Sequence, residues 1–401
     1  MLILFALSTV ALSACAADVS LGENNACALG LVACPTSDGR PVCVDLATNP
    51  IHCGACGSGC PRGACAEGLC CESFACAGRC WAARRDIRSA RVGVETVWVH
   101  PADFDGDGRD DLFVSTNRES SVSIYWGRAD GELTEVDTFQ WGQPGYWLGS
   151  GDIDNDGRLD ALLLPGDEMG EHLSLKVRFS DGRRGFERER SYATIGFNPT
   201  FAATGDVNGD QLTDVLLLGE RQHCVFLMRG LGGGDLSEPR CVYPVRDATV
   251  DAPTFIALGR DAQGRSHWLG EGALTSTGRR AMERWVFSSD GASIERVEPV
   301  AEDDLRQYTR ASSVRVGAQR MVLRFEVDGT PRSRRVWMRS LAPDLSMTPC
   351  SRPAIDLQID GAGGETVVSA GDFNGDGLVD YFGLTAWCAW CSGMLYAHLG
   401  R

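Results

Sequence analysis

The sequence predicts an all-β chain: a β-propeller of six blades, with seven as the alternative, preceded by a small disulfide-rich module. Three observations carry this. A nine-residue acidic motif recurs at Asp103–Asp111 (DFDGDGRDD), Asp152–Asp160 (DIDNDGRLD), Asp206–Asp214 (DVNGDQLTD) and Asp372–Asp380 (DFNGDGLVD), with starts 49, 54 and 166 residues apart, the last close to three periods of 55. Short apolar or alternating runs flank the motifs, such as VETVWV, DLFVST and SVSIYWG, and these are strand signals. Eleven of the 17 cysteines crowd between Cys27 and Cys80. A period near 50 residues with four strands per unit means a propeller, and the 316 residues from 86 to 401 divide into six units of about 53.

At the N-terminus, residues 2–12 (LILFALSTVAL) form an apolar run too short to span a hydrocarbon core of about 30 Å and read as the core of a signal sequence. Leu12-Ser13-Ala14-Cys15 resembles a bacterial lipobox, which makes Cys15 the lipidated residue; an ordinary signal cleavage site is the alternative. No Lys or Arg precedes the run. Ala16 after the cysteine favours the outer membrane by that resemblance. The expected organisation is a signal peptide at 1–15, a linker at 16–26, a cysteine module at 27–80 and the propeller at 81–401. The expected location is the outer membrane or surface of a bacterium, held by the lipid alone, or the secreted fraction.

Behind an export signal, dense cysteines mean disulfides. The segment 27–80 has too little apolar material to fold without cross-links; a zinc site at His52-Cys53-Gly54-Ala55-Cys56 is the alternative. With Cys15 set aside, 16 cysteines remain, 11 in the module and five later. Cys224 with Cys241 and Cys388 with Cys391 are local pairs, which leaves Cys350 to tether the odd cysteine of the module. The stretches CVDL, NPIHCGACG and CPRGACAEGLCC are similar to the stigma-specific protein family, a resemblance that implies an extracellular spacer or interaction module without catalytic residues.

Two degenerate repeats fill the long gap. Near 260, FIALGRDAQGRSHWLG keeps Gly259 where Gly205 precedes the third motif, but Arg260 replaces the leading Asp. Near 316, SSVRVGAQRMVLRF keeps strand, turn and strand with no carboxylate in the turn. The last unit has three strands after residue 365, so its fourth is expected from Arg88–Val94, closing the ring.

In D-x-[DN]-x-D-G-x-x-D, side chains at positions 1, 3, 5 and 9 and the carbonyl at position 7 can converge on one hard cation. This oxygen-rich, flexible shell suits calcium and is a shorter relative of the EF-hand loop. The expected ligands are Asp103, Asp105, Asp107, Arg109 (carbonyl) and Asp111; Asp152, Asp154, Asp156, Arg158 (carbonyl) and Asp160; Asp206, Asn208, Asp210, Leu212 (carbonyl) and Asp214; and Asp372, Asn374, Asp376, Leu378 (carbonyl) and Asp380. Up to four Ca2+ are implied. The third site is expected to be weaker, because Gln211 stands at position 6, where a left-handed backbone costs a non-glycine residue about 1 kcal/mol. Fourteen of these ligands are carboxylates, against a net charge of −16, so the acidity need not advertise a cationic partner.

The loops and their strands resemble the FG-GAP or VCBS repeats of integrin-α-like propellers. That resemblance implies calcium held in hairpin loops as a structural staple, with recognition elsewhere on the propeller face.

The net charge makes the counterion term unfavourable for nucleic acid. No G-x-S-x-G, H-E-x-x-H or Walker motif is present. His100, His172, His223, His267 and His398 stand singly and read as packing or surface residues, and Trp126, Trp285 and Trp337 read as core. Trp387 and Trp390 flank Cys388 in AWCAWCSG and are the candidate ligand contacts on a rigid rim loop. The function expected is therefore that of a secreted, lipid-anchored, calcium-binding propeller acting as a cell-surface binding or adhesion module for a protein or glycan partner, without enzymatic activity. The alternative is a lectin or polysaccharide-processing enzyme that uses the propeller face.

Overall fold

A computed structural model describes residues 27–400 apart from short connecting segments, the longest being 166–173, 245–254, 300–307 and 359–367, and apart from 378 and 386–391. The chain divides into two compact units, Met1–Ala82 and Ala83–Arg401, and the described residues include no helix.

In the first unit, cysteines take the place of a core: Cys34, Cys43, Cys53 and Cys65 are its buried apolar groups, with Val44. The bridges are Cys27–Cys43, Cys34–Cys56 and Cys53–Cys65, and Cys60 is also disulfide-bonded. The Cys53/Cys56 pair is thus split between two bridges and leaves no thiol for zinc. His52 Nδ1 instead accepts the Gly57 N–H at 2.9 Å.

The second unit is six blades, with a small two-stranded hairpin, Gly230–Gly232 and Asp235–Leu236, between the third and fourth strands of blade 3. Blade 1 is Thr96–Ala102, Asp111–Thr116, Ser121–Tyr125 and Val136–Gln140. Blade 2 is Gly145–Gly151, Asp160–Pro165, Ser174–Phe179 and Arg188–Ala193; blade 3 is Pro199–Gly205, Asp214–Gly219, Cys224–Met228 and Arg240–Pro244. Blade 4 is Ile256–Arg260, Ser266–Leu274, Arg280–Phe287 and Ile294–Pro299. Blade 5 is Tyr308–Val316, Gln319–Val327 and Ser333–Leu341, with two short strands, Met347–Pro349 and Ile355–Gln358, both pairing with its third. Blade 6 is Val368–Gly371, Asp380–Thr385 and Ser392–Gly400, completed by Arg85–Val94.

First strands meet first strands around the axis: blade 1 beside 2, 2 beside 3, 3 beside 4, 5 beside 6, and 6 back to 1. Each first strand of blades 1–5 carries a register shift, a bulge that adds twist where strands crowd. Second strands are covered on both faces by neighbouring blades, so they read as continuous apolar runs, as in Ala161–Leu164 and Val215–Leu218, all buried. Outer strands keep the alternating or polar pattern of a solvated edge, as Arg188–Ala193 does.

The core is correspondingly a set of layers between blades. Phe104, Phe113, Ile124 and Trp126 of blade 1 pack on Ala161, Leu163 and Phe186 of blade 2. Blade 2 meets blade 3 through Ile153, Leu175 and Phe179 against Ala202, Val215 and Leu217. Trp268, Trp285 and Phe287 of blade 4 close on Val207 and Leu216 of blade 3. The ring seals where Val99, Leu112 and Tyr125 of blade 1 meet Phe373, Phe382, Leu395 and Val92.

The expected closing strand is present. Arg85–Val94 lies antiparallel on Ser392–Gly400, with Ala90 opposite Leu395 and Arg88 opposite Ala397. The Tyr125 hydroxyl of blade 1 donates to the Arg91 carbonyl at 3.2 Å. The Cys224–Cys241 bridge joins the third and fourth strands of blade 3; Cys350, Cys388 and Cys391 lie outside the described residues.

A chain starting at Thr96 lacks the outer strand of blade 6 and the Val92 contact. We expect it to melt at least ~10 °C below a chain starting at residue 83; equal midpoints by circular dichroism would show that this strand does not close the ring.

Candidate metal loops

All four acidic motifs connect the first to the second strand of a blade, in blades 1, 2, 3 and 6, so ring geometry places them on one face. Blade 4 makes the same connection with a shorter turn, Arg260 pairing Ser266, and blade 5 with a hairpin in which Val316 pairs Gln319. Local backbone chemistry shapes the loops. Position 6 is left-handed in every copy: Gly108 (φ 88°), Gly157 (88°), Gln211 (70°) and Gly377 (79°). Gln211 does adopt the backbone that its side chain disfavours. Position 4 is left-handed too, at Gly106, Asn155, Gly209 and Gly375, a requirement readable in retrospect from the Gly/Asn restriction there.

Position 1 is the hub of each turn. Asp103 Oδ1 accepts the N–H of Gly106 (2.7 Å) and Asp107 (3.1 Å), and its Oδ2 that of Gly108 (3.0 Å). Asp152 accepts from Asp156 and Gly157, both at 2.9 Å, Asp206 from Gly209 (2.5 Å) and Gln211 (3.1 Å), and Asp372 from Gly377 (3.0 Å). Such Asx-type bonds preorganise the loop. Burial and the nearby carboxylates raise the carboxyls of Asp103 and Asp372 above their ordinary value, against the pull of these N–H groups.

Position 9 has a second role that the motif alone does not reveal. Asp111 Oδ2 accepts Phe104 N–H (2.9 Å) and its Oδ1 accepts Gly127 N–H (2.8 Å). Asp160 does the same with Ile153 (2.9 Å) and Ser180 (3.0 Å), and Asp214 with Val207 and Gly230, both at 2.8 Å. Asp380 accepts Phe373 N–H at 2.9 Å. Each carboxylate therefore clamps its own loop, and in blades 1–3 the end of the third strand as well. They are 0–1% exposed. Burial pushes Asp111 and Asp160 up to about 7 and Asp214 to about 6, with the two backbone N–H groups pulling each the other way.

Position 2 was not singled out in the motif, yet Phe104, Ile153, Val207 and Phe373 are all buried and plug the seams between blades. Its signal is the apolar residue in every copy.

Of the expected ligands, the structure brings together Asp103, Asp105 and Asp111 in the first loop, and Asp152, Asp154 and Asp160 in the second. In each group one oxygen per residue lies within 4.8 Å of the others. Position 5 stands apart from these groups. Asp107 pairs with the Arg109 guanidinium (2.8 Å) and accepts its N–H, and Asp156 does likewise with Arg158 (2.7 Å). In the loops with Asn at position 3, Asn208 donates to Asp210 (2.8 Å) and Asn374 to Asp376 (2.9 Å). Leu212 donates its N–H to Asp210 at 2.9 Å. Leu378, Cys15, Trp387 and Trp390 lie outside the described residues.

Two buried carboxylate oxygens in these loops have no hydrogen-bond partner among the described residues, Asp154 Oδ1 and Asp372 Oδ1. The Asp154 side chain is 8% exposed, and its other oxygen is paired with Arg188. Asp105 Oδ2 is held at 2.9 Å by Arg184, which stacks on Trp126 at 4.8 Å. The loops of blades 1 and 6 interlock: Asp110 N–H donates to the Asp372 carbonyl (2.9 Å), and Asp372 N–H to Asp110 Oδ2 (2.7 Å). A Cβ on Gly371 would strike that same Asp110 oxygen. Of the histidines, His100 bonds Ser150 Oγ at 2.9 Å and His267 is buried. Trp126 and Trp285 are core residues, as expected.

Asp160→Ala would orphan two buried N–H groups at about 1–3 kcal/mol each. We expect a loss of about 2–6 kcal/mol by urea unfolding in chelator; a loss under ~1 kcal/mol would mean that the clamp contributes nothing beyond the loop.

No curated protein matches the chain in sequence. Solved structures with a similar course include an exo-β-1,3-galactanase from Phanerochaete chrysosporium (8% identity, covering 78% of this chain and 98% of that one, TM-score 0.43). The catalytic domain of the Coprinopsis cinerea GH62 α-L-arabinofuranosidase is another (12%, 79% and 97%, 0.37), as is BBS1N in complex with ARL6DN (10%, 77% and 94%, 0.41). Residues 103–163, which hold the first two acidic loops, match the FG-GAP-like repeat family model. That stretch of the propeller is therefore similar to an FG-GAP-like repeat.

Proposed function

We propose that the protein is an exported, calcium-stapled β-propeller that serves as a binding module at the cell surface. The observation that carries the calcium reading is Asp154 Oδ1, a buried carboxylate oxygen without a partner inside the Asp152, Asp154 and Asp160 group. An unpaired buried anion is costly, and a hard cation that accepts six to eight oxygens relieves it. The residues fit such an ion: the second loop offers three carboxylates, and the first loop offers the same set in Asp103, Asp105 and Asp111. Calcium, when bound, supplies positive charge between the arms of the turn. The chain's own residues hold the turn in shape through the Asx bonds at position 1 and the clamp at position 9.

Support for the binding role comes from the loops sharing one face of a rigid ring, and for export from the disulfides of the N-terminal unit. The reading assigns a lipid anchor at Cys15, a protein or glycan partner and no catalytic step.

The test is a calcium titration of residues 16–401. Calcium should raise the melting temperature and stabilise the fold by about 1.4 kcal/mol per site at ten times the dissociation constant, and Asp154→Asn should remove one bound ion. Indifference of the melt to calcium and chelator would sink the calcium reading. The binding role is tested on a panel of glycans and envelope polysaccharides with calcium and with chelator, where turnover of any of them would overturn the non-enzymatic assignment.

A further inference from the structure

The first and third loops each receive an arginine from the blade that follows them, but Arg184 reaches position 3 of the first loop, whereas in the third the arginine lies against the leading aspartate itself. Blade 4 follows the third loop in the ring, and there Arg260 stands where the four acidic blades have the leading aspartate. Its guanidinium bridges its own turn and the third loop. Nη1 lies 3.5 Å from the Asp206 carbonyl and 3.7 Å from Asp206 Oδ1. Nη2 donates to the Gly264 carbonyl and, at 3.3 Å, to that of Ser289. A Cβ on Gly209 would sit 2.5 Å from Nη2, so the cation lies against the middle of the third loop. Ser266 Oγ adds a bond to the Asp206 carbonyl at 3.3 Å.

Two of the places held by aspartates in the acidic blades are taken by basic residues in blade 4. Gly259 pairs with His267, as Gly205 pairs with Asp214, so a histidine holds the register place of the clamp aspartate. The hub of the turn is an anion, Asp261. It accepts N–H groups of Gln263 and Arg265, both at 3.0 Å, the Arg265 guanidinium at 2.8 Å, and pairs with His267 Nε2 at 3.0 Å. Blade 4 thus satisfies its turn with its own cations and has one to spare for the loop beside it. The third loop in turn has Asn208 in place of a carboxylate, its Asp210 is engaged by that amide, and both oxygens of Asp206 accept backbone N–H groups. Unlike the first two loops, it forms no group of three converging carboxylates among the described residues.

We propose that Arg260 is the resident cation of the third loop and keeps calcium out of it. This rests on the calcium reading for the other loops and revises the expectation of a merely weaker third site.

The experiment counts bound calcium by titration calorimetry and native mass spectrometry on residues 16–401, with folding followed by circular dichroism. Asp206→Asn should leave the wild-type count unchanged, Arg260→Gln should gain one ion, and Arg260→Gln with Asp206→Asn should lose that gain. Arg260→Lys retains the charge at this position and should gain none. Loss of an ion from Asp206→Asn alone, or a folded Arg260→Gln that gains nothing, would overturn the proposal. Asp154→Asn in the same series reports on the calcium reading separately: if it loses no ion while Arg260→Gln gains one, that reading fails at the second loop and the role of Arg260 stands.

Discussion

A carboxylate buried at the start of the second strand is the constraint on which each acidic blade depends. Asp111, Asp160 and Asp214 each hold two backbone N–H groups, one in the loop and one just past the third strand. Taking a carboxylate out of water costs several kcal/mol unless it is well paired, and here the compensation comes from main-chain donors that would otherwise be orphaned themselves. The loop is thereby tied to the sheet, and the apolar residue at position 2 is aimed into the seam with the neighbouring blade. Local turn chemistry and inter-blade packing meet at one side chain.

That arrangement has an electrostatic consequence. A ring of such loops gathers negative charge on one face, and the chain answers it differently from blade to blade. Around the first loop Arg184 reaches Asp105 from blade 2; around the third, Arg260 reaches Asp206 from blade 4. In the second loop an oxygen of Asp154 is left without a protein donor. Guanidinium groups and a divalent ion meet the same problem by different means. A guanidinium is directional and permanent, whereas calcium accepts irregular oxygen shells and comes and goes with its concentration.

Much of the architecture was legible before any coordinates. The motif spacing implied six units, and the missing fourth strand of the last unit pointed to the segment that becomes Arg85–Val94. Periodic turn signals and apolar runs are local properties, and they survive translation into structure. The Cys224–Cys241 pair was likewise readable, because 17 residues separate the two cysteines in a unit with few others. Connectivity inside the cysteine module was not, since eleven similar residues in a short stretch allow many pairings.

The sequence by itself determined the repeat, the acidic loops and the strained Gln211, because each is set by residue type and spacing over fewer than about 60 residues. Tertiary structure alone decided the rest. It showed that position 9 clamps the end of the third strand 16 to 20 residues further on and that position 5 of the first two loops turns to its own arginine. It also showed that Arg260 reaches the loop of the blade before it. Those facts depend on which side chains converge when the ring closes, and that convergence is a property of distance in space rather than along the chain.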